Sequence, residues 1–118
     1  MARFKSELIT VCIKDGLWKL HAEFVYESDL IPETIIVPVG FVTDLATVLR
    51  LPLIYLAAAN TLTKAAVIHD WLYQQGKLKR SVADAIFLEA AKASGASMLR
   101  GYPMYLMVRM FGWFFWRA

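Results

Sequence analysis

The sequence predicts a single α+β domain spanning residues 1–118, with an antiparallel β-meander of about three strands in 1–40 and a cluster of three to four helices in 41–118. Three observations predict it. Strand-like alternation is confined to the first third of the chain, helical periodicity takes over after Gly40, and no repeat, linker or low-complexity stretch divides the sequence. Strands first and helices afterwards favour segregated layers over a parallel α/β sheet. A chain of 118 residues buries one core of ordinary size rather than two.

The first run, 7–13, is rich in β-branched residues, and the second, 17–26, alternates around Trp18, Leu20, Ala22 and Phe24. Asp15-Gly16 between them has the chemistry of a hairpin turn. A third strand, 34–39, follows the turn-like stretch 28–32, and Pro38 restricts it to an edge or an end. Beyond Thr43-Asp44, a short apolar piece is interrupted by Pro52, which suits the start of a helix. Thr61 or Thr63 caps a helix running to about Gln75, with Gly76 placed to end it. Ser81 to Asp84 opens a further helix, which Gly95 terminates, and a last helix covers 103–116 with Gly112 as its weak point.

Composition narrows the function. Apolar residues make up 58% and charged residues 19%, so the domain has a full core or an adhesive surface. The net charge of +3 comes from dispersed Lys and Arg, which argues against a nucleic-acid partner. Cys12 is the only cysteine, so neither an intrachain disulfide nor a thiolate metal cage can form within one chain. The first residues lack the apolar stretch and cleavage site of a secretory signal. The aromatic run 102–116 is shorter than a membrane span and contains Arg109. It reads as a helix closing the core, as a docking surface for a partner chain, or as a contact with a membrane surface.

The residues that can carry chemistry lie on the two central helices and the loop before them. At 100° per residue, Leu62, Ala65, Ala66, Leu72 and Tyr73 share the face of His69, whereas Lys64, Trp71 and Gln75 lie opposite. His69 and Tyr73 thus face inward, with Asp70 at the margin. Asp84 shares its own face with Phe87, Leu88 and Ala91, while Glu89 and Lys92 point elsewhere. A carboxylate in such surroundings needs a cationic or hydrogen-bonding partner, and the short connection 74–79 brings it back alongside His69. The pair would act as base and orienter, the carboxylate selecting the imidazole tautomer. Equally, Asp84 can complete a capping box with Ser81. Asp44, Asp70 and His69 form a donor set for a divalent cation in an open site, with Thr47 assisting Asp44. Arg109 could instead pair inward with Asp70 or Asp44, turning the cluster into a structural salt bridge.

The motifs GFVTDLAT at 40–47, AAVIHDWLY at 65–73 and ADAIFLEA at 83–90 resemble those of the phage and prophage family known as domain of unknown function 1353. The resemblance spans nearly the whole chain and marks Asp44, His69, Asp70, Tyr73 and Asp84. Thr47 stands where the family pattern has Ser, and Leu49 where it has Pro. The resemblance implies a phage accessory protein, virion-associated, tail-associated or lysis-related, present in the host cytoplasm during assembly. Other phage proteins would be its partners, reached through the aromatic C-terminal helix. His69 to Tyr73 is also similar to the His-Asp-x-Cys-Tyr helix of secreted phospholipases, in which His activates water, the next Asp binds calcium and a distant Asp orients the His. That similarity implies a hydrolase with His69 as base, Asp84 as orienter and Asp70 as cation ligand. The rival expectation is a non-enzymatic virion or assembly protein in which the same cluster is structural.

Overall fold

The computed structural model describes residues 2–14, 17–43, 59–95, 105, 106 and 109. Within them the chain runs β1 (Arg3–Phe4), β2 (Thr10–Lys14), β3 (Leu17–Leu20), β4 (Phe24–Glu27), β5 (Thr34–Val37), β6 (Val42–Thr43), α1 (Ala59–Gln75) and α2 (Arg80–Ala93). The class is therefore α+β. The expected meander of three strands is instead six strands in two antiparallel sheets, ordered β1-β4-β5 and β2-β3-β6. Two helices rather than three to four are complete among the described residues. Asp44, Thr47, the piece around Pro52 and most of the expected helix at 103–116 lie outside them; Tyr105, Leu106 and Arg109 are described and helical.

The difference in strand count has a local cause. The run 17–26 divides at His21-Ala22-Glu23 into β3 and β4, which belong to different sheets. β2 and β3 pair as the expected hairpin, with a register shift between Cys12 and Lys14. β5 stops at Val37, just before Pro38, and lies at a sheet edge as that proline requires. Gly40, at φ +91, turns the chain back so that its N–H donates to the Leu20 carbonyl while Leu20 N–H donates to Phe41. Two-residue strand β6 then follows on β3.

Alternation sets the core. Phe24 and Tyr26 of β4 and Ile35 and Val37 of β5 point inward and are buried, whereas Val25, Glu27, Thr34 and Ile36 face out. Against them lie α1 and α2, the most extensively packed pair of elements among the described residues. On α2 the buried positions fall at helical spacing, Ala83 and Asp84, Ile86 and Phe87, Ala90 and Ala91. On α1 every residue from Ala65 to His69 is buried, so this helix is enclosed on more than the one face its pattern predicts. Val67, opposite His69 on the wheel, is fully buried, and Trp71 is half-buried with its ring edge-on to Phe41 at 5.1 Å. Each large apolar side chain sealed here contributes on the order of 1.5–3 kcal/mol.

The helix ends are made by backbone geometry. Gly76, at φ +64, donates to the Leu72 carbonyl and stops α1 in the left-handed conformation that glycine adopts without strain. α2 begins at Arg80 with Lys79 as its N-cap residue and no side-chain capping bond. The capping box expected between Ser81 and Asp84 is thus not formed, because Ser81 is already inside the helix and Asp84 is engaged in the interior. Among the described residues no helix is long and apolar enough to cross a membrane.

Candidate functional site: a buried carboxylate with three donors

The short turn between α1 and α2 makes the helices neighbours, and their facing residues build the site. His69 and Tyr73, one turn apart on α1, both reach Asp84 in the first half of α2. Nε2 of His69 lies 2.7 Å from Oδ1 of Asp84, and the Tyr73 hydroxyl donates to the same oxygen at 2.5 Å. Arg109 donates from Nη1 to Oδ2 at 2.9 Å. A carboxylate has lone pairs for all three donors, and each contact is charge-assisted.

Burial defines the character of this group. Asp84 is 0% exposed, Tyr73 3% and His69 6%, so these three side chains meet in the interior, and Arg109 reaches them from a partly exposed position. The His69 ring lies between Tyr73, at 4.1 Å between centroids, and Phe87, edge-on at 5.2 Å. Burial pushes the Asp84 carboxyl up, but the hydrogen bonds from His69, Tyr73 and Arg109 outweigh it and hold the group below the usual aspartate value. Asp84 is accordingly ionised at neutral pH. Burial, then the bond to Asp84, raises the Tyr73 phenol and keeps it protonated as a donor. The same carboxylate raises the Arg109 guanidinium.

An ionised Asp84 fixes the tautomer of His69. Nε2 must carry the proton it donates, so in the neutral ring the lone pair is on Nδ1. The contact with Asp84 is the only hydrogen bond of this ring among the described residues. Arg80 Nη1 is the one side-chain nitrogen or oxygen both sealed from solvent and unpartnered among the described residues. The ring is therefore held by one nitrogen, while the other makes no hydrogen bond among the described residues; a carboxylate that orients an imidazole in this way is the arrangement of a general base.

The remaining expected residues fall differently. Asp70 lies on the half-exposed flank of α1 and accepts a hydrogen bond from Gln74 at 3.4 Å. Arg109 pairs inward, and the carboxylate it meets among the described residues is that of Asp84. The pairing of Asp44 and Thr47 with the cluster lies outside the described residues. No group of three or more His, Cys, Asp or Glu side chains is disposed to hold a metal ion among the described residues.

Two participants were not singled out from the sequence. Arg80 donates from Nη2 to the Arg109 carbonyl at 2.6 Å, so it ties the helix start to the segment that carries the third donor. Its position one turn before Asp84 was a readable signal. Glu89 accepts from the Tyr26 hydroxyl at 2.7 Å and from the Asp29 backbone N–H at 3.1 Å, joining α2 to the β1-β4-β5 sheet. A wheel shows only that Glu89 leaves the Asp84 face; what it meets depends on the sheet.

Fold and site together define an α+β domain whose two packed helices share a buried His–Asp pair completed by Tyr and Arg. The chain belongs to the family described as protein of unknown function DUF1353, whose model matches residues 18–108. The matched span holds three of the four members of the network, His69, Tyr73 and Asp84, and ends one residue before Arg109. No curated protein and no solved structure matches the chain.

Proposed function

We propose that this chain is a phage-encoded accessory hydrolase in which His69 removes a proton from water through Nδ1. One observation carries the reading: the imidazole is anchored at Nε2 by a fully buried, ionised Asp84, while Nδ1 makes no hydrogen bond among the described residues. Asp84 orients the ring and stabilises the imidazolium that forms as water loses its proton. Tyr73 and Arg109 complete the carboxylate, so it stays charged inside the core. Asp70, next to His69 and half-exposed, is the residue best placed to bind a cation or a polar substrate group, as the similarity to the phospholipase helix implies. A buried ionic network is also a poor way merely to glue two helices, because well-packed apolar residues commonly stabilise as much or more.

A second reading has its own observation. Arg109 neutralises Asp84 directly, and His69 is only 6% exposed, which suits a structural lock in a virion or assembly protein. Nitrogen-15 NMR of the His69 ring and turnover of a panel of acyl and phosphoryl nitrophenyl esters distinguish the two. The catalytic reading expects the Nε2–H tautomer, and hydrolysis that falls at least about a hundredfold in a folded His69→Gln variant. A ring protonated at Nδ1, or a folded His69→Gln variant that supports phage growth as well as the parent, would sink it.

A further inference from the structure

We propose that the outer edge of β5 pairs with the same edge of a second copy of this chain, forming a continuous sheet across a two-fold axis. β5 closes the β1-β4-β5 sheet, and its only strand partner among the described residues is β4. The direction of its free backbone groups follows from β4. Lys5 N–H donates to the Val25 carbonyl at 2.8 Å, and Val25 N–H donates to the Ser6 hydroxyl at 2.9 Å, so the backbone of Val25 faces the β1 side. Backbone direction alternates along a strand. Phe24 and Tyr26 therefore face β5, where they meet Val37 and Ile35, while Thr34 and Ile36 turn their N–H and C=O groups outward. None of these outward groups has a hydrogen-bond partner among the described residues.

Exposed edges in single-chain proteins are ordinarily blunted by lysine, by a proline within the strand or by other charges. The opposite edge follows that rule, with Arg3 and Lys5 beside Glu27. β5 does not: it reads Thr-Ile-Ile-Val, with Ile36 47% exposed. Helix α1 leaves the edge open as well. A crevice of about 470 Å³ runs between β5 and the end of α1, walled by Ile31, Trp71 and Leu78 and flanked by Glu33 and Lys77.

The edge is complementary to itself. In an antiparallel pair centred on Ile35, Thr34 of one copy lies opposite Ile36 of the partner subunit, and the two exchange both backbone bonds. Every outward group of both residues is then satisfied in each copy, and Pro32 and Pro38 end the ladder on either side. Glu33 and Lys77 give each copy one acid and one base at the shared seam, as an isologous contact requires.

Sedimentation velocity over a dilution series, together with hydrogen exchange, tests this. The parent should be a dimer that dissociates on dilution. The amides of Thr34 and Ile36 should be protected only in the dimer, those of Ile35 and Val37 at every concentration. Ile36→Pro removes an outward N–H without touching the β4 ladder, and should raise the dimer dissociation constant roughly thirtyfold through two lost bonds per dimer. Val39→Lys, exposed but beyond the edge, should leave it unchanged. A parent that stays monomeric at millimolar concentration overturns the proposal, as does a dimer in which the Thr34 and Ile36 amides exchange freely. Protection of those amides only when a foreign strand-forming peptide is added, with no dimer of the parent, also overturns it.

Discussion

Arg109 and Asp84 lie 25 positions apart in the chain and meet at 2.9 Å, Nη1 to Oδ2, with the carboxylate wholly buried and the arginine about one-third exposed. This contact occupies the oxygen that His69 and Tyr73 leave, so three segments of the chain converge on a single charge. Arg80, through the Arg109 carbonyl, holds the third segment to the start of α2. The domain thus has a polar centre inside an apolar helix pair, and its stability and any chemistry it performs share one carboxylate.

Removing that carboxylate should be the most damaging polar change in the molecule. Asp84→Ala leaves the donors of His69, Tyr73 and Arg109 facing an apolar interior, and a loss of about 3–5 kcal/mol in urea unfolding is expected. Arg109→Ala should cost less, about 1–2 kcal/mol, because its own side chain is screened by solvent. A double-mutant cycle between His69→Leu and Asp84→Leu should show clear coupling. Additive effects would mean that the two side chains do not interact in solution.

Stability should decline at both ends of the pH scale, for separate reasons. Folded Asp84 holds its proton more weakly than the unfolded chain does, so its contribution is complete above the ordinary aspartate value of 3.8 and drains away as pH falls toward the depressed folded value. Tyr26 and Tyr73 are both raised above 10.0, chiefly by burial and then by their bonds to Glu89 and Asp84. Unfolded tyrosines ionise first, and stability should fall as pH rises beyond 10.0. Urea midpoints measured against pH check both limbs. Asp84→Asn should flatten the acid limb and Tyr26→Phe part of the alkaline one; unchanged slopes would contradict the assignments.

Alanine should be costly at the end of α1 and nearly neutral at the start of α2. Gly76→Ala forces a side chain into a left-handed conformation and should destabilise the domain by about 1–2 kcal/mol. Ser81→Ala should fall within about 0.5 kcal/mol of the parent, since Ser81 is exposed and caps nothing. A loss near 1 kcal/mol at Ser81 would restore the capping role that the geometry denies it.

What the sequence alone determined was local. The β2-β3 hairpin, the edge place of β5, the stop of α1 at Gly76 and the inward faces carrying His69, Tyr73 and Asp84 all follow from nearest-neighbour rules of turn chemistry and periodicity. The meeting of His69 with Asp84 was also legible, because a short turn between two helices leaves few ways to pack them. Tertiary structure decided the rest. The run 17–26 bends at His21 to serve two sheets, since no propensity encodes which neighbour a strand will find. Val67 is buried although it lies opposite the core stripe, because α1 is covered on more than one side. Arg109 met Asp84, and Glu89 found Tyr26, through distances between residues remote in the chain. Periodicity tells which way a side chain points from its own element, whereas its partner is set by what the folded chain brings opposite.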